Sequence, residues 1–464
     1  MLGGGVSGLA GGLMLARDGH EVTVLERDGQ AVPESGEQAW EGWSREGVIQ
    51  FRQAHILTSA GRAVLEDALP DVLEALVSAG AVRFDPLALR PPSPSASAAD
   101  DDGERFVTYT ARRPVFEQVL ARAARDEPGM DVRRGQTASG LTIDRGGATP
   151  HVTGVRTDAG ETLSADLVVD ASGRSSQTPR WLSDAGIGPV HEESEDSGFI
   201  YYTRFFRSAD GSTPQMFGPA LAAIGTFSLL TIPADNGTWS VTVYVSRGDQ
   251  ALKRMRDVDA WMSVVKACPA HAHWLEGEPT SEIAAMGGVV DRYRRLSLDG
   301  RPLVSGLALL GDAWACTNPS LGRGMTLALM HARCLREQVG SAPEDPLAFA
   351  QEWDAITERT LTPWYRETVE EDRARLGEIE ALRQGREPPA PSEPSAVLRR
   401  GLLASLGEDP ELFEAFLESR CCLTPLTETF AQPGVAERIL ELADGREPMA
   451  IPGPDREELL ALLA

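Results

Sequence analysis

The residues that could do chemistry in this 464-residue chain begin with glycines. Gly3, Gly5 and Gly8 stand at the spacing G-x-G-x-x-G, where missing Cβ atoms permit a sharp turn, close backbone approach to a pyrophosphate, and tight helix-to-strand packing. The apolar residues 9–16 follow and predict a helix whose first amides face the phosphates. Residues 21–27 then read as a strand ending in Glu26, eighteen residues after Gly8 and well placed for an adenosine ribose hydroxyl. This stretch predicts a dinucleotide cradle built from Gly3, Gly5, Val6, Ser7, Gly8, Glu26 and Arg27. The strand leading into the turn has only Met1 and Leu2, whereas a buried parallel strand usually runs about five or six residues. Either the given start is internal to the reading frame or the first strand is unusually short.

Two later stretches repeat the same logic. Residues 165–174 form an apolar run ending in Asp170-Ala171-Ser172-Gly173-Arg174, and residues 303–310 form another ending in Gly311-Asp312. Ligands of open α/β sheets bind at the carboxyl ends of strands, so three such ends predict one extended cofactor. FAD is long enough to need all three.

Gly311-Asp312-Ala313, Pro319 and Gly322-Arg323-Gly324-Met325 match the G-D-A, P and G-x-G-M/I pattern of the FAD-dependent monooxygenase superfamily typified by para-hydroxybenzoate hydroxylase. Over roughly residues 1–340 the chain resembles that family. The resemblance implies that Asp312 binds the ribityl chain and that Pro319, Gly322, Gly324 and Met325 lie along the isoalloxazine ring. It implies Arg113 near the pyrophosphate, with Arg112 as competitor, and a backbone contact to adenine at Ala138. Asp170 and Gly173 join the cofactor set through the middle motif. That motif departs from D-G-x-x-S-x-x-R and looks more like the geranylgeranyl reductase and halogenase branches. The electron donor is therefore either NAD(P)H or a partner flavin reductase.

The chemistry implied is oxygen transfer to an apolar or aromatic molecule through a flavin C4a-hydroperoxide. It demands a dry pocket rather than a side-chain nucleophile. The alternatives are a reductase or dehydrogenase acting on an isoprenoid or polyketide-type substrate, and a flavin-binding scaffold without turnover. Halogenation fits less well, because neither a tunnel lysine nor a W-x-W-x-I-P segment is present. His55, in a Q-x-x-x-x-H segment, is the candidate catalytic side chain, although a lone histidine is more often structural. His271 and His273 have no further ligand at metal spacing, and no metal is expected.

The elements that must position these residues define an α/β fold. A Rossmann-like FAD-binding domain takes residues 1–190 and returns at 301–340. An antiparallel-sheet substrate domain is inserted at 191–300, and a helical region covers 341–464. Within the insert, 199–206, 224–232 and 239–245 alternate like strands, the last two joined by Ala234-Asp235-Asn236-Gly237. Phe199, Tyr201, Phe205, Phe227 and Trp239 could contact substrate or simply form core. Residues 86–103, rich in proline and aspartate, read as an excursion. The helical tail could be a lid or a partner surface.

The net charge of −25 argues against nucleic acid and anionic membranes as partners. No apolar run approaches the ~20 residues of a membrane span. Five cysteines without C-x-x-C spacing point to a reducing compartment, the cytoplasm.

Overall fold

A computed structural model describes residues 1–90, 103–341 and 345–464. The excursion expected at 86–103 is described only at its ends, with a single 3-10 turn over Pro86–Leu89; the rest lies outside the described residues.

The parallel sheet runs in the order Met130–Arg134, Val22–Glu26, Leu2, Val168–Asp170, Leu307–Leu309. The strand at the chain start is one residue wide. Leu2 N donates to Val169 O at 2.8 Å and Leu2 O accepts from Ala171 N at 2.9 Å, while Gly3 N donates to Leu25 O at 2.8 Å. A short first strand therefore suffices to join the two halves. Val168, Val169 and residues 307–309 are buried, as strands covered on both faces require. The Val6–Arg17 and Gly324–Ser341 helices pack together on one face. Gly11 lies in this interface, where a Cβ would reach Leu310 Cδ2 and Ala332 Cβ at ordinary contact distances of 3.4 and 3.7 Å and press only on Met1 Cε at 3.2 Å. On the other face Leu141, Val152 and Val155, from an antiparallel sheet of Ala138–Asp144, His151–Thr157 and Thr162–Ser164, pack against Val168 and Leu307.

The larger antiparallel sheet has the order Leu221–Ile224, Phe227–Ala234, Thr238–Ser246, Phe199–Arg207, with Glu278–Pro279 and Ala284–Gly287 sharing the last edge. The turn at Asn236-Gly237 has φ of 54° and 66°, the doubly positive geometry of a two-residue hairpin that follows sheet twist. The strand expected over 224–232 is broken. Gly225, at φ 48°, reverses the chain, and Ile224 pairs with Phe227 in the preceding hairpin.

One face of this sheet packs Tyr202, Phe206 and Trp239 against Trp261 and Trp274. Phe227 belongs to the same cluster, and Phe199 and Tyr201 pack on the opposite face with Tyr244 and Ile379. Phe205 is buried against the Trp40 ring at 4.7 Å. All five aromatic residues considered for substrate contact are core. The tail forms helices from Pro346–Thr360 to Arg456–Leu462. The last of these buries Leu459 against the antiparallel sheet, and Arg456 pairs with Asp249.

Candidate active site

The carboxyl ends of the parallel strands converge. Gly3, Gly5, Val6 and Ser7 from the first turn, Gly173 from the middle motif, and Gly311 and Asp312 from the third strand end line one groove. Arg27, Glu26 and Ala138 lie along it, and so do Pro319, Gly322, Gly324 and Met325. His55 and Arg113 lie there as well.

The glycines divide by what surrounds them. Gly5, the residue capping the Val6–Arg17 helix, has no atom within 4 Å of where a Cβ would stand, so it leaves the helix's first amides open to the groove. Gly8 does not line the groove, and a Cβ there would lie 2.0 Å from Gly3 O. Its place is in packing the turn. Gly3 combines φ of 102° with a crowded site, where a Cβ would lie 2.5 Å from Ala171 O. Gly322 takes a left-handed φ of 68° that ends the Pro319–Leu321 turn, after which Gly324 opens the next helix with clear space above it.

Asp170 departs from the expected role. It is fully buried and absent from the groove wall, and both carboxylate oxygens are already engaged. They accept from Ser172 N at 2.9 Å, Ser172 Oγ at 2.5 Å, Ser176 Oγ at 2.5 Å and Thr178 Oγ1 at 2.6 Å. The extra serine of the middle motif thus turns its aspartate inward, to fix the loop that carries Gly173.

Glu26 sits at the groove but is also committed, accepting from Gly4 N and Asp28 N, each at 2.8 Å. Its third partner is Arg45, which sequence reasoning missed. The Arg45 side chain is 3% exposed and reaches Glu26 at 2.9 Å, Asp28 at 2.7 Å and Glu117 at 2.8 Å. Burial pulls its guanidinium down, yet Glu117, Glu26 and Asp28 together hold it above the ordinary arginine value. Nothing in the polar stretch around it marks this one arginine out.

Arg113 opens its helix beside the groove, with Nε donating to Glu117 at 2.6 Å and Nη1 meeting His55 Nε2 at 3.1 Å. Arg112 points elsewhere, buried against Asp235 and Glu37. His55 is held neutral. Burial, then the Arg113 guanidinium, pushes its pKa down to about 3. Nδ1–H therefore donates to Gln53 O at 2.9 Å and Nε2 accepts from Arg113, so both ring nitrogens are occupied. A second histidine, also missed, stands at the third strand end. His331 lines the groove, accepts from Gly311 N at Nδ1 over 3.1 Å, and stacks on Trp353 at 4.8 Å. Burial takes it to about 3 too. Asp312 is pushed above the usual carboxylate range by burial, against the pull of Arg113 and Arg174.

These residues fit an extended dinucleotide. One end offers open helix amides at Gly5, the middle offers Asp312 and the Arg113 guanidinium, and the other offers the amides around Gly324. A family model described as an FAD binding domain matches residues 1–342. The chain belongs to the FAD binding domain family. Its groove is the FAD site of that family. The Mycobacterium tuberculosis protein Rv3254 is 27% identical over 442 residues, covering 90% of this chain and 88% of that one. PqsL, a probable FAD-dependent monooxygenase from Pseudomonas aeruginosa, shares the fold with a TM-score of 0.59 at 20% identity, over 82% of this chain and 95% of its own. The flavin-dependent brominase Bmp2 does so with a TM-score of 0.57 at 15% identity, over 96% and 98%. No described helix is long and apolar enough to cross a membrane. Among the described residues no group of three or more His, Cys, Asp or Glu could hold a metal ion. His271 and His273 instead meet the carbonyls of Pro219 and Gln215.

Proposed function

We propose that this FAD-dependent enzyme is a monooxygenase that hydroxylates or epoxidises an apolar or aromatic small molecule. The observation that carries the reading is the continuity of the groove. Besides the segments that would face flavin, its wall includes Ala54, Met286, Val289 and Tyr365, a largely apolar surface suited to an apolar substrate. FAD, when bound, supplies the reaction of its reduced ring with dioxygen. The chain's own task is to orient that ring, keep water from it and seat the substrate. The likeness to PqsL and to 2-methyl-3-hydroxypyridine-5-carboxylic acid oxygenase, the latter with a TM-score of 0.52 at 17% identity over 88% of this chain and 96% of its own, supports the same reading. Electrons come from NAD(P)H or from a separate flavin reductase as partner. A reducing cytoplasm suits five cysteines that are all free and buried.

The test supplies FAD-loaded protein with aromatic and polyketide-type compounds under 18O2, with NADH, NADPH or an added flavin reductase as electron source. One labelled oxygen atom in the product is expected. Saturation of a substrate double bond without label would replace the reading with a reductase, and a reconstituted protein lacking flavin absorbance would leave only a scaffold.

A further inference from the structure

The residue between Gly322 and Gly324 does not face the groove. Arg323 is 2% exposed and turns into the helical region beyond residue 345. Its guanidinium pairs with Glu367 and donates to Ser419 Oγ at 2.9 Å, Ser419 O at 3.1 Å and Thr368 Oγ1 at 3.3 Å, lying over the Trp364 ring at 5.2 Å. Glu367 is tied in turn, accepting from Ser419 Oγ at 2.7 Å and Leu426 N at 2.8 Å. Trp364, Glu367 and Thr368 stand at i, i+3 and i+4 of the Thr362–Arg383 helix, hence on one face. In the first turn of the following helix, Thr326 Oγ1 bonds Thr58, whose hydroxyl donates to Cys421 O at 2.9 Å. A buried cation with such partners fixes the backbone from which it springs far more tightly than a surface pair would. That backbone is the segment whose amides open toward the groove at Gly324 and Met325.

We propose that Arg323 is a positioning residue: the tail, gripping its guanidinium through Glu367 and Ser419, sets where the amides from Gly322 to Met325 stand and thereby tunes the flavin. The tail is then a fixed part of the site, neither a swinging lid nor a docking platform for another protein. The inference rests on the FAD reading, so its test includes a readout that needs no flavin. Hydrogen–deuterium exchange of the amides from Ser320 to Thr326 is compared in flavin-free parent, Arg323→Lys and Glu367→Gln, beside melting curves. Exchange in this segment is expected to rise about tenfold or more in both variants while the parallel sheet keeps its protection. In FAD-loaded protein the flavin absorption bands and reduction potential are expected to shift, more for Glu367→Gln than for Arg323→Lys, which keeps the charge. Unchanged exchange in this segment would overturn the proposal. So would a rise spread evenly over the chain, because Arg323 would then be holding the core at large. A parent that takes up no FAD would sink the flavin reading and leave the exchange result standing.

Discussion

The second and third glycines of the first motif, Gly5 and Gly8, look equivalent in the sequence and are opposite in the structure. A methyl group at Gly5 meets open space, so Gly5→Ala is expected to leave unfolding within about 0.5 kcal/mol of the parent and to weaken FAD retention at least tenfold. Gly8→Ala drives a methyl into the Gly3 carbonyl and is expected to destabilise the fold itself, by roughly 1–3 kcal/mol in urea titration. Equal effects of the two on stability would remove the distinction. Arg45→Met strips Glu26 and Asp28 of their cation, leaves Glu117 only Arg113, and should cost about 3–5 kcal/mol in the same titration. The groove-lining glycines of the first turn and Glu26 were legible because their spacing reports backbone need, and Asp312 and Arg113 through the family resemblance. Arg45 and His331 were not, because what singles them out is three-dimensional enclosure. His331 also carries a pH signature. Unfolded, it binds a proton below its ordinary value of 6.5; folded, it resists until about 3. Stability is therefore lost as pH falls through that interval, by up to about 1.4 kcal/mol per pH unit for this group. His331→Asn, whose amide oxygen can still accept from Gly311 N, should reduce the difference in stability between pH 7 and pH 4.5.

The helical region expected over 341–464 contains the long Thr362–Arg383 helix. Its polar face was not legible, because acids on a helix are usually solvated. Here Asp372 is buried, and burial raises its pKa to about 7, with Ser320 and Asn318 pulling the other way and nearby Asp291 and Glu371 adding to the rise. The sign is opposite to that of His331. The folded carboxyl keeps its proton where the unfolded one, at 3.8, has lost it, so its contribution is present below 3.8 and is lost as pH rises through 7. Asp372→Asn is expected to match the parent near pH 4 and to exceed its stability at pH 8, on the order of 2 kcal/mol by chemical denaturation. Among the strands, Asn236-Gly237 announced its hairpin, whereas Gly225 was read through. A single glycine within an apolar run gives no sign of reversal until its neighbours pair.

At the scale of the whole molecule, three strand ends separated by up to 300 residues build one cofactor groove, which is what three similar small-residue turns implied. FAD at about a hundredfold excess over its Kd should stabilise the chain by about 2.7 kcal/mol, a rise that calorimetry would register and whose absence would argue against the cofactor. The aromatic strands of the inserted sheet proved to be core, because alternation alone cannot say which of two covered faces meets a ligand. The tail's involvement was the least legible feature. The contacts of Arg323 with Glu367 and Ser419, and of Glu367 with Leu426, join positions 44 to 96 residues apart, and no local pattern records them.

The grip on Arg323 also has a temporal side. Ser419 and Leu426 are synthesised last of the groups involved, so while a ribosome is still translating the tail, the glycine loop has no anchor. Flavin loading then belongs after chain release, and nascent chains arrested before residue 419 should emerge from the cell colourless.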